Sequence, residues 1–126
     1  MSNTEQKRIL VIDDDAMSRE VMEAFLSSEN YIVSLASNGT DGIASAEALL
    51  PDAIILDVRM PDMSGYDVCL HLKAQASTEL IPIMIVTGFD DRRDFERGKE
   101  VGADEFLTRP FDGDDLLERV NKMVNS

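Results

Sequence analysis

The chain has 126 residues, one domain's worth, and a core of that size buries roughly two-thirds of the surface the unfolded form exposes. Its 44% apolar and 29% charged content is that of a soluble globular protein, which excludes fibrous and disordered classes. Twenty-five acids against 12 bases give a formal charge of −13, so phosphate backbones and anionic lipid are repelled and cations or basic protein faces are the expected partners.

The polar start MSNTEQKR has no signal-peptide core, and the longest apolar runs, about five residues, fall far short of the roughly 20 that cross a bilayer. A cytoplasmic location is expected. The single cysteine, Cys69, has no internal disulfide partner and reads as a small core or surface residue.

A first strand is predicted over Arg8 to Ile12. The helix after it, Ala16 to Glu29, gathers Met17, Val21, Phe25 and Ser28 on one face. A second strand runs from Tyr31 to Ala36. Asn38-Gly39 then turns into a helix with Ile43, Ala46 and Leu50 together, and Pro51-Asp52 breaks the chain before a third strand, Ala53 to Asp57. Pro61 to Gly65 closes the next loop, and His71 sits in a helical stretch as a surface or packing residue. The fourth strand spans Ile81 to Thr87, with Pro82 near its start.

The segment DDRRDFERGKEVG has a thin apolar face of Phe95, Gly98, Val101 and Gly102, so a loosely packed, mobile helix is expected there. Its charge mosaic of Arg92, Arg93, Asp94, Glu96, Arg97, Lys99 and Glu100 suits either a partner or a solvated, ion-paired face. A fifth strand, Asp104 to Thr108, leads to a last helix carrying Leu116, Leu117, Val120, Met123 and Val124. Strand and helix alternating five times imply a parallel sheet with right-handed crossovers and helices on both faces.

Ligands of such sheets bind at the carboxyl ends of the strands, where strand order reverses. Here those ends are Asp13-Asp14-Asp15, Asp57, Thr87-Gly88 and Thr108-Arg109-Pro110. If the first and third strands are neighbours, at least three carboxylates share a pocket. Two like charges about 4 Å apart repel by roughly 4 kcal/mol at an effective dielectric near 20, so a compensating cation is expected. All-oxygen ligands suit Mg²⁺ or Mn²⁺ better than zinc. A carboxylate there can act as a nucleophile towards phosphorus, with Thr87 and Arg109 near the phosphate oxygens.

From about Arg8 to Val124 the chain resembles the receiver domain of two-component response regulators, close in kind to the single-domain chemotaxis regulators. The resemblance rests on ILVIDDD, ILDVRMPDMSG around Asp57, IVTG ending at Gly88, and GADEFLTRPF, in that order and spacing. It implies one receiver domain over residues 1–126, core about 8–124, with a flavodoxin-like α/β sandwich. The sheet would be five-stranded and parallel, ordered 2-1-3-4-5, with five helices.

It further implies that Asp57 is the phosphoacceptor and that Asp14, Asp57 and the backbone carbonyl of Arg59 ligate Mg²⁺, with Asp13 in the metal shell through water. Thr87 would bond the phosphoryl group, with Phe106 following its motion, and Pro110 would shape the site. The donor would be a sensor histidine kinase or a His-containing phosphotransfer protein. Output would pass through the face of the fourth helix, fifth strand and fifth helix to a protein partner, from a monomer or a phosphorylation-dependent dimer. No turnover enzyme is expected. With two residues after Val124, the chain reads as a stand-alone receiver or one cut from a longer protein.

One departure stands out: the family's usual lysine is Arg109, a planar fork in place of a compact ammonium. It is expected to permit phosphorylation but weaken switching. Arg59 and Phe89, two residues beyond Asp57 and Thr87, are expected to shield the acyl phosphate and lengthen its life. Three rivals remain: a phosphorylation-independent binding module using Arg109 as an internal cation, a haloacid-dehalogenase-like phosphatase built on Asp13, Asp15, Thr87 and Asp90-Asp91, and a flavodoxin-like electron carrier.

Overall fold

The computed structural model describes residues 6–88 and 92–125, so Phe89, Asp90 and Asp91 lie outside the described residues. Strand and helix alternate as β1 (Arg8–Ile12), α1 (Ala16–Ser28), β2 (Ile32–Ala36), α2 (Gly39–Leu49), β3 (Ala53–Asp57), α3 (Gly65–Lys73), β4 (Ile83–Thr87), α4 (Arg92–Glu100), β5 (Glu105–Thr108) and α5 (Gly113–Val124). The strands form one parallel sheet ordered β2-β1-β3-β4-β5, the order the resemblance implies. Parallel neighbours need crossovers, and each crossover here carries a helix.

Alternation along each strand sorts the core into two layers. Leu10 and Ile12 of β1 pack with Ala46 of α2 and with Val68, Cys69 and Leu72 of α3, joined by Val101 after α4. Ile9 and Val11 face the other way, onto Met22 and Leu26 of α1 and onto Leu116, Val120 and Met123 of α5. Every residue of β4 is buried, as expected of a strand covered on both faces. Cys69 is fully buried, its Sγ 3.5 Å from the Val101 carbonyl oxygen. Burial pushes its thiol up to about 11, so it is an inert core residue.

Helix α1 is phased differently from the expectation. It buries Ser18, Met22 and Leu26, while Met17, Val21 and Phe25 stay exposed. Two stripes one residue apart compete on this helix, and tertiary contacts choose between them. The Asp15 side chain caps the helix by accepting from Ser18 N–H at 3.2 Å, and the Ser18 hydroxyl turns inward to Asp13.

Two smaller differences have local causes. Leu50 is exposed, away from Ile43 and Ala46, because it is the left-handed C-cap of α2, φ 47°, immediately before Pro51. The fourth strand begins at Ile83, after Ile81 and Pro82, because proline has no N–H to give the ladder. Asp104 takes the Ile83 N–H at 2.8 Å and pairs with Lys73 at 2.8 Å.

The loop after β3 also holds α2. Asp62 accepts from Gly39 N–H at 2.9 Å and from Thr40 N–H and its hydroxyl at 2.8 Å. These bonds hold its carboxyl down to about 2. A depressed carboxylate stabilises fully above its unfolded pKa and loses that contribution as pH falls through its folded one. Asp62→Asn is therefore expected to unfold at lower urea than the wild type at pH 7, with the gap closing between about pH 4 and pH 2. Urea titrations across that range check this, and a gap independent of pH would contradict it.

Candidate functional site

Strand order reverses between β1 and β3, where a crevice opens at the carboxyl ends. Asp13 follows β1, its N–H donating to Ala36 O at 3.0 Å. Its side chain is buried, whereas Asp14 beside it is exposed. Asp57 ends β3, in register with Val86 of β4. The sheet thus brings Asp13, Asp14 and Asp57 together, each with a carboxylate oxygen within 4.8 Å of the others.

That crowding shows in the titration of Asp57, which is raised to about 6. Burial is the largest cause; Asp13 and then Asp14 add repulsion, while Arg109 and the Val58 N–H pull the other way. One buried and two more accessible carboxylates, with no His or Cys among them, make a hard oxygen donor set that fits Mg²⁺ or Mn²⁺.

Arg109 reaches this cluster from the end of β5. Its Nη2 lies 3.1 Å from Asp13 Oδ2 and 3.7 Å from Asp57 Oδ1, and its Nη1 donates to Ser18 Oγ at 3.1 Å. The Ser18 hydroxyl in turn donates to Asp13 Oδ2 at 2.6 Å. The Asp13 backbone oxygen accepts from Arg19 at 2.7 Å. Arg109 N–H donates to Thr87 O at 2.9 Å, and the Arg109-Pro110 peptide is cis. The guanidinium therefore lies towards β1 and α1 and does not displace Thr87, which is buried at the end of β4 with its hydroxyl donating to Gly88 O at 3.3 Å.

Phe106 lies in β5 with its ring 4.3 Å from that of Phe95, between centroids. Gly98 of α4 makes room for it, since a Cβ there would come within 3.0 Å of the Phe106 ring. The Arg59 side chain pairs with Asp94 at 3.0 Å, and the Tyr66 hydroxyl also donates to Asp94. For Arg59 to cover Asp57 it would have to leave that pair.

Asp94 is buried, which corrects its place in the solvated charge mosaic: it ties α4 to the loop and helix after β3. Removing a buried carboxylate bonded in this way is expected to destabilise by about 1–2 kcal/mol. In Asp94→Ala, amide exchange should accelerate over 92–100 more than elsewhere; uniform acceleration would argue against a local tether.

Spacing alone did not single out Ser18, Arg19 or Asp62. Only Ser18 carried a usable signal, three residues after the capping Asp15. His71 is a surface residue 3.8 Å from Glu47, apart from the crevice.

A parallel sheet of this order with three acids at its switch point defines an α/β sandwich whose crevice suits a hard divalent cation. The family model for the response regulator receiver domain matches residues 9–121, and the chain belongs to that family. It is 44% identical over 117 residues to the response regulator PleD of Caulobacter vibrioides, covering 93% of this chain and 26% of PleD. With the protein PilH of Pseudomonas aeruginosa it shares 36% identity, over 93% of this chain and 97% of PilH. The chain thus spans about a quarter of PleD and, for the transcriptional regulator RpaA of Synechocystis, 48% of its length.

Among solved structures, a putative response regulator from Chloroflexus aurantiacus superposes with a TM-score of 0.94 at 30% identity, covering 97% of this chain and 100% of that one. The receiver domain of the sensor histidine kinase PA1611 from P. aeruginosa has a TM-score of 0.90, 30% identity and the same coverage; its structure has a magnesium ion coordinated in the active site cleft. Receiver domains are signalling switches of two-component systems that bind Mg²⁺ at an acidic pocket and are phosphorylated by histidine kinases. No described helix is long and apolar enough to cross a membrane.

Proposed function

We propose that this chain is a single receiver domain, core about 8–124, that accepts a phosphoryl group on Asp57 and signals through the face of α4, β5 and α5 to a protein partner. The observation that carries this reading is the convergence of Asp13, Asp14 and Asp57 on one crevice, with Arg109 against them. An Asp57 oxygen attacks the phosphorus of a phosphohistidine on a kinase or phosphotransfer protein. The new P–O bond forms as the P–N bond breaks, and the departing imidazole keeps the bond's electron pair and takes a proton from solvent.

Asp14, Asp57 and the Arg59 carbonyl would hold Mg²⁺, with Asp13 acting through water. When bound, the cation neutralises the crowded carboxylates and the phosphoryl oxygens. Thr87 turns its hydroxyl to the phosphoryl group, and Arg109 supplies a second donor. The exposed Met17 and Val21 on α1, one turn and two turns from Asp14, offer the donor an apolar landing beside the pocket. Phe106 of β5 and Phe95 of α4, in tilted ring contact, carry the rearrangement outward.

Intact mass after incubation with Mg²⁺ and acetyl phosphate tests this: one phosphoryl group is expected, absent with EDTA. The Arg109 bridge between Asp13 and Asp57 favours one second reading, a module with its own internal cation that binds partners without phosphorylation. No mass gain, with partner binding unchanged by the donor, would establish that reading instead.

A further inference from the structure

Ser18 is out of place on the buried stripe of α1. A phase one residue earlier would bury Met17, Val21 and Phe25, a more apolar set, yet the helix turns Ser18 inward and leaves those three exposed. A local rule broken beside a functional site points to work done there. The Ser18 hydroxyl donates to Asp13 Oδ2 at 2.6 Å and accepts from Arg109 Nη1 at 3.1 Å, while Arg109 Nη2 meets the same Asp13 oxygen at 3.1 Å. Serine, aspartate and guanidinium close a ring of three contacts.

We infer that Ser18 is the positioning residue that makes arginine workable in this pocket: it occupies one guanidinium nitrogen, so that Arg109 meets the carboxylates through the other alone. The inference rests on the receiver reading of the crevice. A guanidinium pairs best with a carboxylate through two parallel N–H bonds. Nη2 already stands 3.7 Å from Asp57 Oδ1. Without the Ser18 oxygen, Nη1 loses its partner and the fork is free to rotate onto Asp57 with both nitrogens, where it competes with a divalent cation and with an incoming phosphoryl group. An ammonium has one nitrogen and no such second mode, so the need for Ser18 should vanish when Arg109 is replaced by lysine.

The test is a cycle of four chains: wild type, Ser18→Ala, Arg109→Lys and the double variant. Alanine suits the helix, and the Asp15 cap on the Ser18 N–H survives, so folding is preserved. Mg²⁺ affinity by titration calorimetry is read first, and the rate of labelling by acetyl phosphate second. Ser18→Ala is expected to weaken Mg²⁺ binding about tenfold when Arg109 is present, as loss of a group behind metal ligands does. Beside Arg109→Lys the same change should have an effect at least about fivefold smaller. Labelling rates should show the same coupling.

Equal losses in both backgrounds would mean that Ser18 serves Asp13 alone, and would overturn the inference, as would no loss in the arginine chain. Should none of the four bind Mg²⁺, the receiver reading itself fails and the inference falls with it. That outcome is distinct from an additive cycle among chains that do bind.

Discussion

Asp57→Asn is expected to be more stable than the wild type in the absence of divalent cations. Asp57 sits half-buried beside Asp13 and Asp14, and its carboxyl is raised to about 6 by burial first and by those neighbours next. For an acid whose folded pKa is raised, the native state holds the proton more tightly than the unfolded state. Stability therefore falls as pH rises from about 4 to about 6, and stays low above. An amide of the same shape removes that charge at the loss of a long contact to Arg109. Allowing for solvent screening, the gain at pH 7 is about 1–2 kcal/mol, or roughly 4 to 8 °C in Tm for a domain of this size. Scanning calorimetry from pH 4 to 7 should show the wild-type decline flattened in the variant. Saturating Mg²⁺ should reverse the ranking, because it stabilises only a chain that binds it. A variant less stable than the wild type without metal would contradict the electrostatic account.

A second large effect is expected at Gly65, the first residue of α3. A Cβ there would run into the Asp57 carbonyl oxygen and come within 2.9 Å of Val58 Cα. These are backbone atoms at the end of a buried central strand, and they cannot turn aside as a side chain would. Gly65 N–H also donates to Val58 O at 2.7 Å, locking the helix start onto the strand end. Gly65→Ala is expected to destabilise by about 3 kcal/mol and to shift the Arg59 carbonyl along with the loop, so Mg²⁺ affinity should fall with stability. By contrast Gly88→Ala, where a Cβ meets nothing within 4 Å, should leave stability nearly unchanged. Urea denaturation of the two variants side by side checks this, and a Gly65→Ala chain as stable as wild type would show that the loop has slack.

The strand-end acids were legible in the sequence because each follows a short, β-branched apolar run that its length and flanking turn residues mark as a buried strand. Asp13, Asp57 and Thr87 are located by the runs before them, and the sheet order brings them together. The phase of α1 was not legible, since stripes 17/21/25 and 18/22/26 differ by one residue and the choice depends on contacts of Ser18 with Asp13 and with Arg109, the latter 91 positions away. Asp94 looked like one more charge in a solvated helix; its burial depends on Arg59 and Tyr66, which only the fold places against α4. Asp62 reads locally as a turn residue, and its role at the N-terminus of α2 is a tertiary contact across 23 positions. In each case the missing information was which distant group stands opposite, something that periodicity does not carry.

Acceptance of a phosphoryl group at Asp57 is tested most directly by locating the group. After incubation with Mg²⁺ and acetyl phosphate, borohydride reduction converts an acyl phosphate to the alcohol, and peptide mass mapping reads its position. Reduction is expected at residue 57 alone, dependent on Mg²⁺. Reduction at Asp13 or Asp14, or at Asp57 without Mg²⁺ as readily as with it, would contradict it.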